Sequence, residues 1–125
     1  MEVDGVQIQQ VLTNLMVNAI QAMQKAGTVR ARVQRTTARP PGLEIQKDLT
    51  CARIDVYDEG KGISEDHLNQ IFDPFFTTKN IGEGTGLGLS IAYGIVRDHA
   101  GWIEVESQPG KGTCFSVFLP EDDQP

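Results

Sequence analysis

An aspartate at the end of an alternating strand, followed at once by two glycines, is the residue pattern with the clearest chemistry in this chain: Asp58-Glu-Gly60-Lys-Gly62-Ile63. Its carboxylate can stand at the floor of a pocket and accept a hydrogen bond from an exocyclic amine such as that of adenine, although an aspartate there also serves simply to start a turn. A second glycine phrase, Gly82-Glu-Gly84-Thr85-Gly86-Leu87-Gly88-Leu-Ser90, opens an apolar-periodic run. Glycines without Cβ atoms let backbone N–H groups approach phosphate oxygens, and the positive end of a helix dipole favours the anion. Upstream, Asn14 and Asn18 lie one helical turn apart, so both amides project the same way; hard oxygen donors of this kind suit Mg²⁺ that keeps water and bridges to phosphates. Neither the dinucleotide fingerprint nor the phosphate-loop spacing is present, so those two nucleotide folds are set aside.

Those residues need elements to hold them. Residues 3–26 read as one helix with Ile8, Val11, Leu12, Leu15, Ala19 and Ala22 on one arc and Gly27 as its stop, leaving Asn14, Asn18 and Gln21 on the polar border. Residues 28–35 and 52–58 alternate as neighbouring strands, with Arg39-Pro-Pro-Gly42 in the turn between them. Ser64 caps a short helix to Ile71, and a glycine-rich stretch to about Gly86 reads as a candidate lid. Leu87 to Ala100 forms a second long helix stopped by Gly101, and residues 102–107 and 113–119 close the chain as a hairpin. Helix, strands, helix, strands predict an α+β fold: a two-layer α/β sandwich, with a mixed sheet covered on one face by helices.

Length and composition bound the rest. The 125 residues suffice for a single domain, 1–125, and 39% hydrophobic with 22% charged residues is the balance of a globular chain. A net charge of −6 without a long basic run argues against nucleic acid and against direct contact with anionic membranes, so any phosphate site must be local. No stretch has the length of a membrane span and no signal-peptide pattern opens the chain, which places this piece in the cytoplasm and leaves any membrane anchorage to a parent protein. Cys51 and Cys114 lie in β-branched stretches and read as buried thiols.

Taken in order, Asn14-Leu-Met-Val-Asn18-Ala, Asp58-Glu-Gly-Lys-Gly62-Ile63, Phe72-Asp-Pro-Phe-Phe-Thr-Thr-Lys79, Gly84-Thr-Gly-Leu-Gly-Leu-Ser90 and Gly110-Lys-Gly-Thr113 resemble the N, G1, F, G2 and G3 boxes of sensor histidine kinases. The resemblance covers nearly the whole chain and implies the catalytic, ATP-binding domain of a two-component system, with the Bergerat fold. It implies ATP and Mg²⁺ as cofactors, Asp58 on the adenine amine, Asn18 on Mg²⁺, Asn14 beside the phosphates, and Thr113 near a water that bridges Asp58 and adenine. Gly60, Gly62 and Ile63 would shape the base pocket; Gly84, Thr85, Gly86, Leu87 and Gly88 would carry the turn around the phosphates; Phe72, Phe75 and Phe76 would anchor the lid. Many such kinases have a lysine where this chain has Gln21, and Lys79 is expected to supply the missing charge, which makes Asn14 and Lys79 the catalytic candidates. Hydrolytic relatives place a glutamate where Asn14 stands, and an amide cannot take a proton near neutral pH. The partners implied are an acceptor-histidine dimerisation domain and, indirectly, a response regulator; the chain itself is expected to be monomeric. His67 and His99 lie in no acceptor phrase, so the acceptor is expected outside this chain. A nucleotide-gated interaction module and a stand-alone ATPase are the alternative readings.

Overall fold

The computed structural model describes residues 5–23, 27–40, 48–68, 70–72 and 88–121. The element order is α1 (Gly5–Ala22), β1 (Arg30–Ala38), β2 (Leu49–Asp58), α2 (Glu65–Leu68), α3 (Gly88–Asp98), β3 (Trp102–Gln108) and β4 (Gly112–Pro120). The strands form one sheet in the order β1-β2-β4-β3. Alternation along β2 and β4 sends Ile54, Val56, Phe115, Val117 and Leu119 to one face, where they meet Val11, Leu15 and Ala19 of α1 and Ala92 and Val96 of α3. This is the two-layer α+β sandwich expected from the order of elements.

The described pairings are all antiparallel, where a mixed sheet was expected. The helical crossover from β2 does return the chain parallel to it as β3. However, β4 then folds back into the gap and pairs antiparallel with both.

Element ends differ from the sequence expectation for tertiary reasons. Helix α1 stops at Ala22 because its carbonyl accepts the Lys61 N–H at 3.2 Å, so a loop distant in sequence supplies the cap. Strand β1 begins at Arg30 because Thr28 N–H donates to the Glu59 carboxylate, and it runs on to Ala38 because Leu49 of a longer β2 pairs with it. Helix α2 is a single turn over Ser64, whose carbonyl accepts from His67 and Leu68. At the end of α3 the left-handed residue is Ala100 (φ 60°), while Gly101 is needed for another reason: a Cβ there would lie 2.2 Å from the Phe118 carbonyl oxygen. Among the described residues, no helix is long and apolar enough to cross a membrane.

Candidate functional site

Asp58 is the last residue of β2, on the same sheet face as the core, and only 3% exposed. Its Oδ1 accepts the Gly60 N–H at 2.8 Å. Burial pushes its pKa up, against the opposing hydrogen bonds from the Gly60 and Thr113 backbone. No cation pairs with it among the described residues. The result is a buried acid with acceptor capacity left over and no charge to spend it on.

The glycines around it are fixed by close approach. A Cβ at Gly60 would meet the Ala22 carbonyl oxygen at 2.7 Å and the Asp58 carboxylate at 2.8 Å. At Gly62, where φ is +76°, a Cβ would fall 2.1 Å from the Gln108 carbonyl oxygen. Gly112, at φ +97°, leaves the same narrow clearance to the Asp58 carbonyl. Backbone bonds sew this corner together: Lys61 N–H to Ala22 C=O, and Gly110 N–H to Lys61 C=O at 2.7 Å. The loop after β2 is therefore clamped between the C-terminus of α1 and the β3–β4 turn.

Thr113 faces Asp58 across the register and is buried beside it. Its hydroxyl lies 2.7 Å from that of Ser107, which also accepts the Ile63 N–H at 2.7 Å and donates to the Gly112 carbonyl. Asp58, Gly60, Gly62, Ile63 and Thr113 are thus one connected corner. Ser107 belongs to it and was not among the sequence candidates; a serine in a strand carries no signal until the hairpin register sets it opposite Thr113.

The other candidates follow α1. Asn14 Nδ2 donates to the Gly88 carbonyl at 3.1 Å, tying the helix to the first residue of α3. Asn18, half-buried, and Gln21, exposed, lie on the same border between that tie and the Ala22 clamp. The eight-residue separation of Asn14 and Ala22 spans about 12 Å of helix axis, so α1 connects the glycine corner at one end with the start of α3 at the other. Lys79, Gly84, Thr85, Gly86 and Leu87, with Phe75, Phe76 and the candidate lid, lie outside the described residues. Phe72 is described and packs as core, its ring 5.2 Å from Tyr93 and 6.3 Å from Phe115.

A second polar cluster sits on the opposite sheet face. Burial opposes the charge on Asp55, but the Ser116 hydroxyl and the Arg53 guanidinium, 2.9 Å away, outweigh it and hold its carboxyl below the usual range. Arg53 also lies over Phe118, which stacks on Trp102. This cluster is satisfied internally and reads as structural. His99 is likewise engaged, its Nδ1 at 2.8 Å from the Ile95 carbonyl.

A family model described as histidine kinase-, DNA gyrase B- and HSP90-like ATPase matches residues 3–123. The chain is 45% identical over 117 residues to the sensor kinase CckA of Brucella abortus (strain 2308), a match covering 91% of this chain and 12% of that protein. It is 44% identical over 119 residues to the sensor histidine kinase ZraS of Escherichia coli (strain K12), covering 95% of this chain and 23% of that protein. Among solved structures, the nucleotide-free catalytic domain of histidine kinase ThkA matches with a TM-score of 0.66 at 36% identity, over 96% of this chain and 70% of that one. The chain therefore spans less than a quarter of the length of these two curated relatives.

Proposed function

The chain belongs to the family of histidine kinase-, DNA gyrase B- and HSP90-like ATPases, and from that membership we propose that residues 1–125 are the catalytic domain of a sensor histidine kinase, which holds Mg-ATP and donates its γ-phosphoryl group to a histidine on a separate dimerisation domain. The observation that carries the reading is the Asp58 corner: a buried carboxyl with its pKa pushed up, no paired cation among the described residues, and glycines whose missing Cβ atoms let the backbone close in around it. The donor set suits the ligand. An uncompensated carboxyl is matched by an exocyclic amine, a neutral donor that demands no counter-charge. In this reading Asp58 accepts from adenine, Thr113 stands beside it, and Gly60, Gly62 and Ile63 line the base.

Asn18 would supply the amide oxygen for Mg²⁺ and Asn14 and Gln21 would hold the phosphates, with Lys79, Gly84, Thr85, Gly86, Leu87 and Gly88 as the further phosphate-binding candidates of the sequence. Among the described residues no three His, Cys, Asp or Glu side chains cluster, so a divalent ion here depends on amide and phosphate oxygens, as Mg²⁺ sites on nucleotides do. Bound Mg²⁺ and ATP supply the transferable phosphoryl group and the neutralising charge; the chain's own part is positioning. With an amide at Asn14 in place of a basic carboxylate, hydrolysis is slow and the nucleotide is kept for transfer. The further partner is a response regulator, reached only through the phosphorylated histidine, and the chain acts in the cytoplasm as a monomer.

The test uses ATP labelled at the γ-phosphate. The chain alone is expected to bind Mg-ATP and remain unlabelled, and an added acceptor-histidine domain from the same kinase is expected to gain acid-labile label. Acid-labile label on the chain alone sinks the reading; ATP binding with no label on the added domain points instead to a nucleotide-gated interaction module.

A further inference from the structure

Ser107 shares a face of β3 with Ile103 and Val105, both packed on the core, and is itself half-buried. Its hydroxyl meets partners from three places. The Ile63 N–H, in the loop after β2, donates to it at 2.7 Å. The Gly112 carbonyl lies 3.1 Å away across the hairpin, and the Thr113 hydroxyl lies 2.7 Å away on β4. A hydroxyl has one proton to give and two lone pairs to receive, an amide N–H only donates, and a carbonyl only accepts. Ser107 therefore accepts from Ile63 and gives its single proton to Gly112, and its second lone pair is met by the proton of Thr113. The alternative fails by count: were Ser107 to donate to Thr113, it would have no proton left for the Gly112 carbonyl.

The direction of that bond matters at Asp58, which Thr113 faces across the β2–β4 register. With its proton held by Ser107, the Thr113 hydroxyl offers only lone pairs to whatever enters the corner. The Asp58 carboxylate beside it already accepts the Gly60 N–H and the Thr113 backbone N–H, and it too has nothing to donate when ionised. An exocyclic amine, with two hydrogens, suits such a pair of acceptors, directly or through a water. A carbonyl in the same place meets acceptors alone and is left unpaired where water is scarce, a heavier penalty than a merely missing contact. A Thr113 hydroxyl free to turn would lift that exclusion, because it could donate to the carbonyl.

We infer that Ser107 is a positioning residue that sets base specificity: by holding the Thr113 hydroxyl as an acceptor, it makes the Asp58 corner select a 6-aminopurine and reject a 6-oxopurine, an inference that rests on the adenine reading of Asp58 above. Ser107 acts only through Thr113, and its tie to Ile63 keeps the loop after β2 in register with the hairpin while it does so.

The experiment measures affinities for ADP and for inosine diphosphate, its 6-oxo counterpart, by calorimetric titration in chelator, so that neither metal nor phosphoryl transfer enters. The parent chain is expected to prefer ADP. Ser107→Ala releases the Thr113 proton and is expected to narrow that preference about tenfold, the scale of one buried hydrogen-bond mismatch, chiefly by tighter binding of inosine diphosphate. Ser107→Thr restores the hydroxyl and is expected to return the preference to the parent value. Thr113→Val removes the hydroxyl altogether and is expected to weaken ADP with no gain in inosine diphosphate. A serine that only ties the loop to the hairpin would, on removal, weaken both nucleotides by the same factor or neither; that result, in a Ser107→Ala protein whose melting curve shows it folded, overturns the role of Ser107. If Ser107→Ala does not fold, Thr113→Val decides: unchanged ADP binding, or tighter inosine diphosphate binding with no hydroxyl to donate, overturns it equally. A parent chain that binds the two nucleotides alike removes the adenine reading of Asp58 together with this role, whereas a parent that prefers ADP and a Ser107→Ala protein with the same preference remove the role of Ser107 alone.

Discussion

At Asp58 the cost of burying a carboxyl is kept rather than relieved, and both the ligand response and the pH response of the protein should reflect it. If Asp58 reads the adenine amine, Asp58→Ala weakens ATP and ADP alike, with or without Mg²⁺, by roughly tenfold to a hundredfold, the worth of a buried charge-assisted hydrogen bond. Asn18→Ala instead removes most of the advantage Mg²⁺ gives ATP and spares metal-free ADP. Calorimetric titration of both variants with each nucleotide, in magnesium and in chelator, separates them; identical loss profiles in folded variants would overturn the assignment of these two residues. The pH response follows from the same burial. Because burial raises the folded-state pKa of Asp58, the native protein binds that proton more tightly than the unfolded chain does. Its contribution to stability is therefore full below the ordinary carboxylate pKa of about 3.9 and is lost as pH rises through the raised value. At neutral pH the ionised carboxylate is a net cost, retained for binding. Asp58→Asn should accordingly melt a few degrees higher than the parent protein at pH 7, with the difference shrinking as pH falls through that window; a constant difference across pH 3–7 would show that ionisation of Asp58 is not its source.

Among the elements, the loop after β2 owes its path to backbone contacts from two sides, so its glycines are not interchangeable with Gly94 inside α3. Gly62→Ala puts a Cβ 2.1 Å from the Gln108 carbonyl oxygen at a φ of +76°. The left-handed conformation alone costs about 1–3 kcal/mol, and the clash also parts the loop from the β3–β4 turn that leads into Thr113. Gly94, inside α3, has nothing within 4 Å of a Cβ placed there. Gly94→Ala should stabilise the protein by roughly 0.5–1 kcal/mol through helix propensity and a stiffer unfolded chain. Thermal melts of the two variants are expected to move in opposite directions, and a Gly62→Ala protein as stable as its parent would show that the clamp is not rigid.

For the molecule as a whole, the sheet's second face buries both thiols. Cys51 is fully buried and Cys114 nearly so, and burial raises the pKa of each. Thiolate, the reactive form, is scarce in the folded state for both reasons. Reaction with a thiol reagent under native conditions is therefore expected to be slow and to follow global unfolding, accelerating in step with the denaturation curve measured by circular dichroism. Rapid reaction of either cysteine well below the transition would show local opening at the ends of β2 or β4.

The sequence alone determined the element types and the polarity of their faces: helical periodicity fixes which arc of α1 is apolar, and strand alternation fixes which face of β2 and β4 is buried. These are near-neighbour properties, readable from spacing. The tertiary structure decided what depends on partners far apart in the chain. It ended α1 at Ala22, because Lys61 caps it, and it inserted β4 between β2 and β3, so that an expected mixed sheet has only antiparallel neighbours. It also brought Ser107 to Thr113 and Ile63, a contact that exists only once the hairpin register is set. Spacing along a chain constrains which way a side chain points, and only packing determines what it meets.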